Sequence, residues 1–128
     1  MSQKNSWIIG VIVVVLFVGF IVAIKQIGNN KPSPLNAFAQ CLKDAKATMY
    51  GAFWCPHCQA QKKLFGNAAK LLPYVECSTP DTKSQTQICI DKKIEGYPVW
   101  EYADGTRTSG EQTLEQLAAK TSCKLPTL

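Results

Sequence analysis

Residues 47–72 read "ATMYGAFWCPHCQAQKKLFGNAAKLL", and the change of pattern at Cys55 decides the fold. Before it, residues 47–54 run apolar on both alternating sets of positions, as a strand covered on both faces would. After it, Pro56 stands where a helix takes its first residue, and Leu64, Phe65, Ala68 and Leu72 return at helical spacing. Gly66 interrupts that stretch; it costs a helix about 1 kcal/mol relative to alanine and marks a bend or a close contact.

Working outward, residues 34–44, "PLNAFAQCLKD", put Leu35, Phe38, Ala39 and Leu42 on one helical face. On the other side, "PYVEC" (73–77) reads as a short strand and "TKSQTQICIDKK" (82–93) as a helix of modest strength. "YPVWEYADGTRTSG" (97–110) reads as a hairpin, with Asp104 and Gly105 supplying a two-residue turn. Thr113 and Gln116 form a capping-box pattern ahead of Leu114, Leu117 and Ala118. The order is helix, strand, helix, strand, helix, strand, strand, helix. This is an α/β arrangement in which a mixed sheet carries helices on both faces.

The chain has 128 residues, and its positions 5–24 carry no charge. Within them "WIIGVIVVVLFVGFIVAI" (7–24) would span about 30 Å as a helix, enough to cross a bilayer. A buried core helix rarely lacks a polar face for so long. The rival reading is a cleaved signal peptide. Against it, "IVAIKQIGNN" offers no small-x-small site, and "AFA" at 37–39 lies too far downstream. The expected organisation is a tail at 1–6, a transmembrane anchor at 7–24, an extended linker at 25–34 carrying Gly28, Pro32 and Pro34, and one domain at 35–128.

The formal charge is +5, but the lysines are scattered among acids, and no basic stripe with interleaved aromatics speaks for nucleic acid. Six cysteines are too many for an ordinary cytosolic domain of this size and point to an oxidising space. Lys4 precedes the anchor while Lys25, Lys31 and Lys43 follow it, so the positive-inside count alone would put the domain in the cytoplasm. Long domains translocate largely regardless of charge. The expectation is therefore a single-pass protein with its amino terminus cytoplasmic and its domain extracytoplasmic, in a periplasm, at a cell surface or in a thylakoid lumen.

Three chemistries compete for Cys55 and Cys58: a redox centre, half of a metal site, and a structural bridge. If Cys55 caps the helix, its sulfur meets unpaired amides and the positive end of the helix dipole, which favour thiolate over thiol. Pro56 loses nothing at the first helical position, and a protonated His57 adds a cation beside the sulfur. Cys58 follows one turn on, within reach of a disulfide. Stabilising the reduced thiolate makes the disulfide more oxidising. A zinc site would want a second C-x-x-C, whereas Cys77 and Cys89 are widely spaced. A bridge between Cys55 and Cys58 closes too small a loop to stabilise much.

These residues carry a family resemblance. Strand, "WCPHC", helix, "GYPVW" and hairpin resemble the thioredoxin fold, and the Pro-His insert is similar to that of bacterial Dsb-type disulfide oxidases. The stretches "MYGAFWCPHCQAQKKLFG" (49–66), "YVEC" (74–77) and "IEGYPVW" (94–100) resemble more closely still the thioredoxin-like domain fused to bacterial and plant homologues of vitamin K epoxide reductase. The resemblance runs from about Phe38 to Gly110. It implies that Cys55 is the attacking thiolate, Cys58 the resolving thiol and Pro98 a cis proline against the pair, with the backbone of Tyr97 where a substrate segment adds as a strand. Proline on an ordinary edge strand is the plainer reading of Pro98. Trp54 and Trp100 read as packing and platform residues.

Thioredoxins carry a buried acid six residues before the first cysteine, where this chain has Met49, and many relatives have threonine where it has Val99. The quinone-reducing bundle of the fused relatives is not in this chain, so a vitamin K epoxide reductase-like or other quinone-linked oxidase is expected in trans, with thiol-bearing proteins as clients. Relatives carry a second cysteine pair in the region of Cys77 and Cys89, which the resemblance makes a structural disulfide or a shuttle. Cys41 and Cys123 are then left to pair, although six cysteines admit many connectivities. No cofactor and no metal is expected. The alternatives are a reductase or isomerase fed with electrons from across the membrane, or a copper- or zinc-handling module.

Overall fold

The apolar run before Cys55 is a strand only over Thr48–Gly51, because the chain turns through Ala52–Trp54 to deliver Cys55 to the head of the next helix. The protein is seen in a computed structural model that describes residues 3–29 and 33–127. The chain divides into two units, residues 1–31 and 32–128.

The first unit is one helix, α1 (Gln3–Asn29). Its Trp7–Ile24 stretch is apolar and long enough to cross a membrane, and none of it is buried within the chain. The helix runs past Ile24 into the expected extended linker. Gly28 alone weakens a helix by about 1 kcal/mol, which does not stop one, and no proline occurs before Pro32. Residues 1–2 of the expected tail and 30–32 of the expected linker lie outside the described residues.

The second unit runs α2 (Asn36–Asp44), β1 (Thr48–Gly51), α3 (Pro56–Phe65), a 3-10 turn (Gly66–Leu71), β2 (Tyr74–Glu76), α4 (Gln87–Asp91), β3 (Val99–Glu101), β4 (Arg107–Ser109) and α5 (Leu114–Thr121). The strands lie in the order β2-β1-β3-β4, with β1 parallel to β2 and the other neighbours antiparallel. Register sorts the side chains. Met49 stands opposite Trp100, and both enter a core with Phe38 and Leu42 of α2, Phe65 of α3 and Leu117 of α5. Tyr50 stands opposite Val99, and both join Cys77, Ile94 and Cys89 of α4 in a second buried cluster. Successive residues of β1 thus feed two cores, as the unbroken apolar pattern of that run requires. The mixed sheet with helices around it is thioredoxin-like.

Three further elements differ from their sequence reading. The helix beginning at Pro56 ends at Phe65, where Gly66 takes a positive φ of 52° that a side chain would resist, and a 3-10 turn replaces the remainder. The helix expected over 82–93 shrinks to Gln87–Asp91. Upstream of it the Thr79 hydroxyl donates to Ser84 O and Asp81 Oδ1, and Asp81 Oδ1 accepts from Lys83 N, so short polar side chains hold a turn that competes with helix. In the hairpin, Tyr102 N donates to Thr106 O and Gly105 N to Tyr102 O, leaving a three-residue loop in which Gly105 (φ 78°), and not Asp104, has positive φ. Asp104 instead accepts from the amide and hydroxyl of Thr106. The capping box forms: Thr113 Oγ1 accepts from Gln116 N at 3.2 Å and Gln116 Oε1 from Thr113 N at 2.8 Å.

Cys41 of α2 and Cys123 beyond α5 are joined with sulfurs 2.08 Å apart, and Cys77 and Cys89 with sulfurs 2.01 Å apart.

Candidate functional site

Cys55 is the N-cap of α3, with extended backbone (φ −75°, ψ 120°), and Pro56 is the first helical residue. No side chain caps this end. The amides of the first turn, which have no carbonyl partner in the helix, therefore converge where the Cys55 sulfur begins. Cys55 and Cys58 are free and buried, at 6% and 1% exposure. Cys55 Sγ lies 3.8 Å from the carbonyl oxygen of Tyr97, which precedes the buried Pro98 across a cis peptide bond.

The two sulfurs sit in unlike surroundings. Burial pushes the Cys58 thiol up to about 12; a backbone hydrogen bond at Ala52 pulls it down, a hydrogen bond and charge from Cys55 push it up, and the charge of Lys62 pulls it down. Behind it, Gly51 has no side chain for a structural reason: a Cβ there would stand 2.7 Å from Cys58 Sγ and 3.1 Å from Tyr74 Cε2. Cys58 and the Tyr74 ring share the space over that backbone.

Trp54 is half exposed beside the pair; its Nε1 donates to Ser78 Oγ at 2.8 Å, and its ring meets Tyr97 edge to face at 6.1 Å. Phe53 is also half exposed, so an aromatic surface flanks the cysteines. Tyr97 is steadied through its hydroxyl, which accepts from Gln85 Nε2 at 2.7 Å. Trp100, by contrast, is fully buried in the core and does not reach the surface.

His57 meets a carboxylate from the segment before α5. Its Nδ1 lies 2.6 Å from Glu111 Oε1, and the ring is 71% exposed. Glu111 is set in place by Gln61, which is fully buried: Gln61 Nε2 donates to Gln112 O at 3.0 Å and its Oε1 accepts from Gln112 N at 2.6 Å. Gln61 was detectable, since Cys58, Gln61 and Phe65 fall on one buried face of α3. Glu111 was not, lying 54 positions from His57.

Among the described residues no three His, Cys, Asp or Glu side chains come together as a metal ligand set. Cys77 and Cys89, bonded to each other, are not free to complete one with Cys55 and Cys58. What the arrangement does offer is two free thiols three positions apart, one at a helix N-terminus and one buried in its first turn, next to a backbone carbonyl and exposed aromatic rings.

No family model matches the chain. Over 93 residues it is 47% identical to the thiol-disulfide oxidoreductase LTO1 of Arabidopsis thaliana, a match that covers 70% of this chain and 24% of that protein. It is 30% identical over 96 residues to the thioredoxin domain-containing protein 5 homolog of Drosophila melanogaster, covering 64% of this chain and 22% of that one. The chain thus spans about a quarter of the length of each relative.

Proposed function

We propose that this chain is a membrane-anchored thiol-disulfide oxidoreductase that introduces disulfides into client proteins through Cys55 and Cys58, and that a quinone-linked, vitamin K epoxide reductase-like protein reoxidises it in trans. One observation carries the reading: of six cysteines, four are joined in two pairs, and the two left free are neighbours at the N-terminus of α3. The similarity to a protein named for thiol-disulfide exchange supports the same chemistry.

A client thiolate attacks Cys55 Sγ of the closed pair, the Cys55–Cys58 bond breaks, and its electrons pass to Cys58 Sγ, which takes up a proton from water. A second client thiolate attacks the client sulfur of the mixed disulfide and releases Cys55 as a thiolate. The client gains a disulfide and the pair is reduced. The unpaired amides at the head of α3 surround the Cys55 end of the pair, where a client thiolate attacks. The joined pairs Cys41–Cys123 and Cys77–Cys89 suit an oxidising, extracytoplasmic space, and Trp7–Ile24 suits an anchor facing it across a membrane.

Reduction or isomerisation of client disulfides has one observation in its favour. A Cys58 thiol pushed up to about 12 is a poor leaving sulfur, which stabilises the closed pair. Equilibrating the full chain against glutathione decides between the directions. The oxidising reading expects a potential above about −200 mV, and a value near thioredoxin's, about −270 mV, overturns it in favour of a reductase.

A further inference from the structure

Exchange in either direction passes through a thiolate on Cys58: it leaves when a client attacks Cys55, and it attacks when the mixed disulfide closes. Yet Cys58 is 1% exposed, where a charge without a partner is costly. The nearest help lies on its own helix. Cys58 and Lys62 are four residues apart in α3, hence stacked on one face, and a helical side chain leans toward the N-terminal turn.

The ammonium is also held. Lys62 Nζ stands 3.2 Å from the centroid of the Tyr74 ring, a cation over a π face. Tyr74 is fixed in turn, its hydroxyl donating to Glu76 Oε2 at 2.6 Å, while Glu76 Oε1 accepts from Phe53 N at 3.2 Å and Ser78 N at 2.9 Å. The same ring reaches the bare backbone of Gly51, as Cys58 Sγ does. Burial, first, and the Glu76 carboxylate hold the Tyr74 phenol above its ordinary range, so the ring stays neutral. The charged and titratable groups around Cys58 are therefore Cys55 and Lys62, with Tyr74 and Glu76 behind them, and Lys62 has no ion-pair partner among the described residues.

We propose that Lys62 is a positioning residue for thiol-disulfide exchange: docked on Tyr74, its ammonium stabilises the Cys58 thiolate, and Gly51 leaves the room in which sulfur and ring meet. The inference rests on the exchange reading and holds in both directions, because the same thiolate is made in one and consumed in the other. When the mixed disulfide closes, Cys58 gives its proton to water, its thiolate bonds to Cys55 Sγ, and the electrons of the broken bond leave with the other thiol as its thiolate.

The test uses the full chain carrying a mixed disulfide between Cys55 and 2-mercaptoethanol, an uncharged thiol, and follows closure to the Cys55–Cys58 disulfide. Lys62→Gln is expected to slow closure about fivefold at neutral pH and to abolish most of the slowing that added salt causes in the parent chain. Lys62→Arg is expected to restore both. Closure by Lys62→Gln at the parent rate, or Lys62→Arg as slow as Lys62→Gln, overturns the role of Lys62 and leaves the exchange reading standing. A parent chain that forms no mixed disulfide, or never closes one, removes the exchange reading and this inference with it.

Discussion

Cys55 and Cys58, three positions apart in sequence, differ in their surroundings: one caps a helix beside a carbonyl, the other lies buried behind it. Burial leads the causes that push the Cys58 thiol up to about 12 from an ordinary 9.0. The sign of the consequence is definite. Raising the pH makes the reactive thiolate, and each unit below the midpoint costs tenfold, so closure of a Cys55 mixed disulfide by Cys58 should accelerate about tenfold per pH unit from about pH 7 to pH 10. Stopped-flow closure rates check this. A plateau near pH 9 would mean that Cys58 ionises as an ordinary thiol. His57 was legible as an insert between the cysteines, but its partner was not. Nothing local marks Glu111, which reaches it only because Gln61 draws the segment before α5 onto α3.

At the scale of elements, period and punctuation carried most of the reading. The strand-to-helix change at Cys55, the turn signal at Gly105 and the Thr113–Gln116 capping box all fall where their residues stand in the sequence. Lengths were less legible. Gly66 was visible as a break, but whether a helix bends or stops there depends on the φ it takes, and the short span of α4 depends on a turn that Thr79 and Asp81 build from their own side chains. Gly51 was silent, because a glycine's close neighbours come from other elements. Gly51→Ala should cost about 1–3 kcal/mol in denaturant unfolding, since the added carbon would stand 2.7 Å from Cys58 Sγ between β1 and α3. A loss within a few tenths of a kcal/mol would show that α3 can shift away at little expense.

For the whole molecule, the two-sided core was foreseeable from the apolar run before Cys55, whereas the cysteine pairing was not readable from spacing. The two joined pairs differ in what they hold. Cys41–Cys123 closes a separation of 82 residues and ties α2 to the tail; Cys77–Cys89 closes one of 12 between the end of β2 and α4. In the chain-entropy account these contribute about 4.5 and about 3 kcal/mol. Replacing Cys41 and Cys123 by alanine should therefore lower the unfolding free energy of the second unit more than replacing Cys77 and Cys89. Equal or reversed losses would point to packing around the fully buried Cys77 and Cys89 as the larger contribution.

The most direct test of the account is to trap its covalent intermediate. The full chain with Cys58→Ser, incubated with a reduced thiol client after oxidation of Cys55 by a small disulfide, should accumulate a client adduct that a reductant releases and that is absent when Cys55 is also serine. No adduct, or one that persists without Cys55, would contradict the claim that sulfur exchange at Cys55 is what this protein does.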